Sequence, residues 1–407
     1  MYNRTGKQKI LFVIVAVIIL LNSSYAYNTV DDSAANVLLG ISTLALLLWS
    51  LRRDKKVNIG QFIALILVVG LGLSMIANQE VSQVSVYARQ ISVIIFALIF
   101  VEYFSITSFC EYYLQALDLV CLSSLAYCFF YNAIGGFQIL EYTNKNGVTF
   151  ASLIFVVLQK HNPFRICGPF WEAGILAGFI VIGMVYNIYV FNKRRKFRIL
   201  LYIVSLVMTQ STAGYFLGVL ALLMWYISAS PSKSSFLKKL LVYVVIMLCV
   251  IFATPLIGAA ASFLPEVFGK MTFKSVSMST RVMNPIVDLQ LWKKAPLFGL
   301  GIRQYNLLWN DVASSYLVGS RTSTITYFIA TSGVLGLAYA VLILRGGMHQ
   351  KHISLTERVI LICIMLAIVT NEPQNLNVLM FLVIMFFNGD VMEKHQATAM
   401  RRCSDYK

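Results

Sequence analysis

The chain has 407 residues, 58% hydrophobic and 12% charged, with a mean hydropathy of +0.75. That balance excludes a soluble globular protein. The net charge of +16 does not indicate a nucleic-acid partner, because Lys and Arg gather in short clusters between apolar runs, as in Arg52-Arg53-Asp54-Lys55-Lys56 and Lys193-Arg194-Arg195-Lys196; cytoplasmic loops of membrane proteins carry such clusters.

In chain order the apolar runs predict an all-α integral membrane protein, residues 1–407 forming one polytopic domain. About twelve spans are expected, near 10–26, 35–51, 58–77, 84–102, 111–135, 173–191, 199–209, 214–230, 240–257, 323–344, 358–371 and 376–389. Most approach the ~20 residues that cross a bilayer. The first, with Arg4, Lys7 and Lys9 ahead of it, is read as a retained helix and not a cleaved signal, because further spans follow. The charge bias orients the chain with both termini in the cytoplasm. Two pairs of spans are closely joined, one at Gln210-Ser211-Thr212-Ala213-Gly214 and the other at Asn371-Glu372-Pro373-Gln374, and both contain helices short enough to be broken or re-entrant.

Two large external loops, about 135–171 and 258–322, are expected to contain short helices. In the first, Val148 to Leu158 is almost wholly apolar but too short to span, which predicts an interfacial or re-entrant helix. In the second, Asn284-Pro285 is an N-cap followed by a first-turn proline, or else lies within a helix that begins near Ser279. The glycines of Gly299-Leu300-Gly301 lack the flanking strand and helix of a nucleotide fold and read as a turn.

The densest chemistry lies in Arg165-Ile166-Cys167-Gly168-Pro169-Phe170-Trp171-Glu172-Ala173-Gly174, where a cation and a carboxylate stand seven residues apart as a loop re-enters an apolar helix. Charge at a membrane edge is costly and therefore usually functional. This run resembles the R-x-x-G-x-F-W-E-P-G signature of bacterial O-antigen and capsular polysaccharide polymerases, with Ala173 in place of the common proline. Three more segments are similar to that superfamily of polymerases and ligases: Arg281 followed by Pro296-Leu297-Phe298-Gly299-Leu300-Gly301, the Gln210-Ser211-Thr212-Ala213-Gly214-Tyr215 run, and the Gly333-Val334-Leu335-Gly336 turn. Together they cover about half the chain. Superfamily ligases usually carry a histidine at the entrance of the span equivalent to the tenth, where Arg321-Thr322-Ser323-Thr324 stands here, and this favours a polymerase.

The resemblance implies a glycosyltransferase of the bacterial cytoplasmic membrane, acting on its external face. It would transfer a glycan from polyprenyl pyrophosphate to a sugar hydroxyl of another lipid-linked repeat unit. Donor and acceptor would both be undecaprenyl-pyrophosphate-linked oligosaccharides, with membrane lipid and a chain-length regulator as further partners. A glycan ligase, or a secondary transporter or lipid-glycan flippase, are the alternatives.

In that chemistry Arg165 and Arg281 would clamp the pyrophosphate, since guanidinium stays charged and binds phosphate oxygens bidentately. Glu172 would remove the proton of the attacking hydroxyl, its aromatic neighbours raising its pKa. Arg89, Arg303, Arg321, Trp171 and His161 are candidate substrate-binding residues, with Glu172 or a lipid phosphate the expected partner of Arg89. Seven cysteines without C-x-x-C spacing and the absence of a D-x-D pair predict no metal site and no cofactor.

Overall fold

A computed structural model describes residues 16–50, 57–145, 147–153, 155–189, 195–229, 276–316, 318, 320–351 and 353–389. The expected span near 240–257, the first part of the second loop, the cluster from Arg52 to Lys56, and Lys193 and Arg194 of the other cluster lie outside the described residues.

After a helical stretch at 16–21 come α1 (Ser33–Ser50), α2 (Ile59–Ala77), α3 (Val84–Tyr103) and α4 (Ile106–Ala133). Strands β1 (Leu140–Thr143), β2 (Thr149–Leu153), β3 (Val156–Gln159) and β4 (Asn162–Ile166) follow, then α5 (Ala173–Tyr189), α6 (Arg195–Met208), α7 (Thr212–Ala229), α8 (Val276–Trp292) and α9 (Gly301–Ser315). The chain continues with α10 (Thr324–Ser332), a 3₁₀ segment (Gly333–Leu337), α11 (Ala338–His349), α12 (Leu355–Asn371) and α13 (Val378–Phe387). Among the described residues five helices are long and apolar enough to cross a membrane: α1, α2, α3 with the turn before it, α4, and the broken helix formed by α10 and α11. The remaining apolar helices are shorter, including α5, α7 and α13.

The first loop departs from expectation. Val148 to Leu158 is not a helix but the centre of a four-stranded antiparallel sheet in the order β1-β2-β3-β4. Strands β2 and β3 pair from Phe150↔Gln159 to Leu153↔Val156. Both faces of this run are apolar because both are covered: β3 is buried at every position, and Phe150 and Val157 pack with Ala26, Cys167 and Ala173. A strand buried on two sides loses the alternation that would reveal it, and a continuous apolar run of this length is ambiguous between strand and helix.

The second loop interlocks with the broken helix. Gly299 (φ 70°) and Gly333 (φ 67°) both adopt the left-handed conformation that glycine tolerates. A β-carbon on Gly299 would overlap the Thr331 backbone, and one on Gly333 the Leu297 carbonyl. The contact is fixed by Leu300 N–H donating to Ala330 O (2.9 Å) and Val334 N–H to Pro296 O (3.0 Å). Buried Glu80 then closes the first turn of α9, accepting from the N–H groups of Ile302 and Arg303, each at 2.7 Å. Pro285 lies inside α8, so Asn284 is no N-cap of its own helix. Its buried side chain instead accepts from the N–H groups of Thr322 (2.5 Å) and Ser323 (2.9 Å), holding the approach to α10.

Candidate functional site

Four charged side chains from four places in the sequence meet where the sheet joins the helices. Arg165 stands near the end of β4, and its Nη2 lies 2.9 Å from Glu172 Oε1, immediately before α5. Its Nε donates to the Thr209 carbonyl at 3.0 Å. That carbonyl is exposed to it by the joint between α6 and α7, where Gln210 takes a left-handed backbone (φ 48°). Arg165 is thus oriented from two sides.

Arg281 reaches the same place from α8. Its Nη1 donates to Thr212 Oγ1 at 3.4 Å, and its Nη2 is 3.7 Å from Glu372 Oε1. Both contacts are long, so they commit its donors weakly compared with a bidentate pair at 2.7–2.9 Å. The Gln210 to Tyr215 run and both motif arginines therefore belong to one site.

Glu372 was not among the sequence candidates. It ends α12, where Pro373 forces the preceding residue out of helical backbone; Glu372 is extended (φ −140°, ψ 142°). The joint is held by Gln374 N–H donating to Thr324 Oγ1 (2.7 Å) and Val378 N–H to Asn22 O (2.9 Å). The Glu372 side chain is 11% exposed and occupies the space left by Gly174, where a β-carbon would overlap its Oε1. The glycine of the F-W-E-x-G run is needed because this carboxylate fills its place. Burial, reinforced by neighbouring Glu172, raises the Glu372 pKa from 4.5 to about 8, against the opposing pull of Arg281 and Arg165. The available signal was topological: Glu372 is the one acid between the last two expected spans.

Other candidates fall elsewhere. Arg89 pairs with Asp32 and not with Glu172, which corrects its expected partner: Asp32 precedes α1, and α1 packs along α3. His161 is exposed between β3 and β4. Trp171 is half-buried, its N–H donating to Ser24 O (3.3 Å) and its carbonyl accepting from Gln159 Nε2 (3.1 Å), so it stitches the sheet to the N-terminal segment. Arg303 is exposed on α9. Arg321 lies 4.9 Å from the ring centroids of both Tyr305 and Trp309, and Nη1 donates to Asn306 Oδ1.

Two cavities flank the charged cluster. One, of about 150 Å³, is almost entirely apolar and runs between the helical stretch at 16–21, α3 and α4, where Phe100, Phe104, Phe109 and Tyr112 line it, to Phe170 of the motif. The other, of about 250 Å³, is polar and lies beyond Pro373, against α3, α9 and α10. No protein family, curated protein or solved structure matches this chain, so the functional reading rests on its own residues.

Proposed function

We propose that the chain is a membrane glycosyltransferase, a polysaccharide repeat-unit polymerase that uses a polyprenyl-pyrophosphate-linked oligosaccharide as donor on the external face of a bacterial cytoplasmic membrane. The observation that carries this reading is the convergence of Arg165, Arg281, Glu172 and Glu372 beside an apolar groove. The groove suits an isoprenoid chain, and Phe170 brings its end within two residues of Glu172.

Arg281, loosely held, turns its donors to the pyrophosphate, while Arg165 is kept in position by Glu172 and the Thr209 carbonyl. In the transfer, the acceptor oxygen bonds to the anomeric carbon as the bond from that carbon to the phosphate oxygen breaks. The electron pair leaves with the lipid pyrophosphate, and the hydroxyl proton passes to a carboxylate. Glu372 is better suited than Glu172 to take that proton, because an ionisation near neutrality gives a base enough strength while leaving it partly deprotonated. Glu172 serves as the ion partner of Arg165. A transporter would use the break at Gly333 as a binding point, yet that break is filled by the backbone of the 296–301 turn.

Single-turnover transfer with saturating lipid-linked donor tests the assignment. Arg281→Lys should lower the rate about 10²- to 10³-fold, the usual effect of losing an oriented donor to developing charge. Glu372→Gln should bind donor normally but transfer about 10²- to 10⁴-fold more slowly. Near-normal transfer by Arg281→Ala, at equal protein level, removes the arginine clamp.

A further inference from the structure

We infer that the polar cavity beyond Pro373 is the binding site for the sugar portion of the acceptor. This rests on the glycosyltransferase reading and adds to it the place and chemical class of the second substrate. The cavity holds about 250 Å³, comparable with one sugar ring and its hydroxyls. Four amides line it, from Gln83, Gln90, Asn306 and Asn375, together with the hydroxyl-bearing Thr322 to Thr324 segment.

Amides and hydroxyls both donate and accept, which is the requirement for binding sugar hydroxyls that do the same. A phosphate site would present uncommitted cations. The cation here, Arg321, is already stacked on Tyr305 and Trp309 and bonded to Asn306, so it offers a flat, positioned wall. An isoprenoid would want a wholly apolar lining such as the first cavity offers, whereas polar groups make up about half of this one.

Gln90 supplies an independent indication. It is fully buried on α3; Nε2 donates to the Tyr327 hydroxyl (2.8 Å), and Oε1 has no partner. A buried amide oxygen without a partner is destabilising, and a ligand hydroxyl in the cavity that Gln90 lines would satisfy it. The wall behind it is firm, since buried Asp288 accepts from Tyr305 Oη (2.8 Å) and Thr326 Oγ1 (2.6 Å).

The cavity also has the right neighbour. Pro373 and Asn375 line it, while Glu372, one residue before Pro373, turns its carboxylate to the arginines. Thr324 ties the two sides, lining the cavity while its Oγ1 accepts from Gln374 N–H. The segment 372–375 thus separates a polar pocket from a charged one by the thickness of a single strand of chain, and a hydroxyl leaving the pocket would meet the proposed base.

The test uses the full chain in lipid nanodiscs and, as probe, the oligosaccharide freed by mild acid from the host cell's own lipid-linked repeat units, which lacks both lipid and pyrophosphate. Equilibrium binding of this probe should weaken at least 10-fold in Gln90→Leu. It should weaken similarly in Gln83→Trp, which fills the cavity from a half-exposed position at the start of α3 and spares the buried network. Both variants should bind the intact lipid-linked donor as the wild type does, and Arg281→Ala should bind the free oligosaccharide normally. Probe binding indifferent to both cavity variants overturns this inference while leaving the glycosyltransferase reading intact. Absence of binding and transfer with every lipid-linked glycan from the host overturns both.

Discussion

Glu372 is under opposing demands. Its burial beside Glu172 favours the protonated form, so the folded chain holds this proton to higher pH than an unfolded one would. Because the folded pKa is raised, the stabilisation is complete below about 4.5 and is lost as pH rises towards about 8. The proposed catalysis runs the other way, since a base must be deprotonated to accept a proton. Thermal stability of the wild type should therefore fall across that window while single-turnover transfer rises, and Glu372→Gln should flatten both profiles. A wild-type transfer rate that is level from pH 5 to 8 would remove Glu372 from proton transfer. At this scale the sequence exposed the arginines, Glu172 and the Gln210 to Tyr215 run, because each sits in a recognisable local pattern. It did not expose the group that brings them together, because Glu372 follows Glu172 by 200 residues and has no pattern except the proline after it.

The elements that position the site are joints more than helices. The left-handed Gln210 exposes the Thr209 carbonyl, Pro373 sets Glu372, and the glycine turn at 296–301 locks against the break after α10. Gly299→Ala combines a strained positive φ with overlap onto the Thr331 backbone. Each of these effects typically costs about 1–3 kcal/mol, so this variant should lose roughly 2–6 kcal/mol by thermal or denaturant unfolding in detergent. Gly40→Ala is the control: it lies on α1 with open space around it, and alanine there should be neutral or slightly stabilising. Equal stability of the two variants would show that the interlocked turns do not hold the second loop in place. The sequence marked Gly299, Gly301 and Gly333 as turns, yet their mutual packing depends on contacts between distant segments, which periodicity does not record. The sheet was hidden for a related reason. The run from Val148 to Leu158 is apolar on both faces because Ala26, Cys167 and Ala173 cover one and the main core, where Val156 and Leu158 pack, covers the other, and those partners lie outside the run.

At the scale of the whole molecule, the sheet, the α6–α7 joint and the α12–α13 joint gather at one end of the helices, and the short connection between α11 and α12 marks the other. The distance between the ends follows from α12: its 17 residues rise about 25 Å at ~1.5 Å each, close to the ~30 Å of a hydrocarbon core. Groups near Glu372 and groups near Lys351 should therefore face opposite aqueous compartments. The distribution of Lys and Arg predicts that the Lys351 side is cytoplasmic, and the proposed polymerisation of a lipid-linked glycan outside the cell requires the Glu372 side to be external. Cysteines at His161, exposed in the sheet, and at Asn310, exposed on α9, should react in intact cells with a thiol reagent that cannot cross the membrane. A cysteine at Lys351, equally exposed, should react only after the cells are opened. The background is a chain with its native cysteines replaced, because Cys363 is itself exposed on α12. Labelling of Lys351→Cys alone would invert the orientation and place the arginine and glutamate cluster where an exported lipid-linked glycan is never found; labelling at all three positions would show that the two ends do not lie across a membrane.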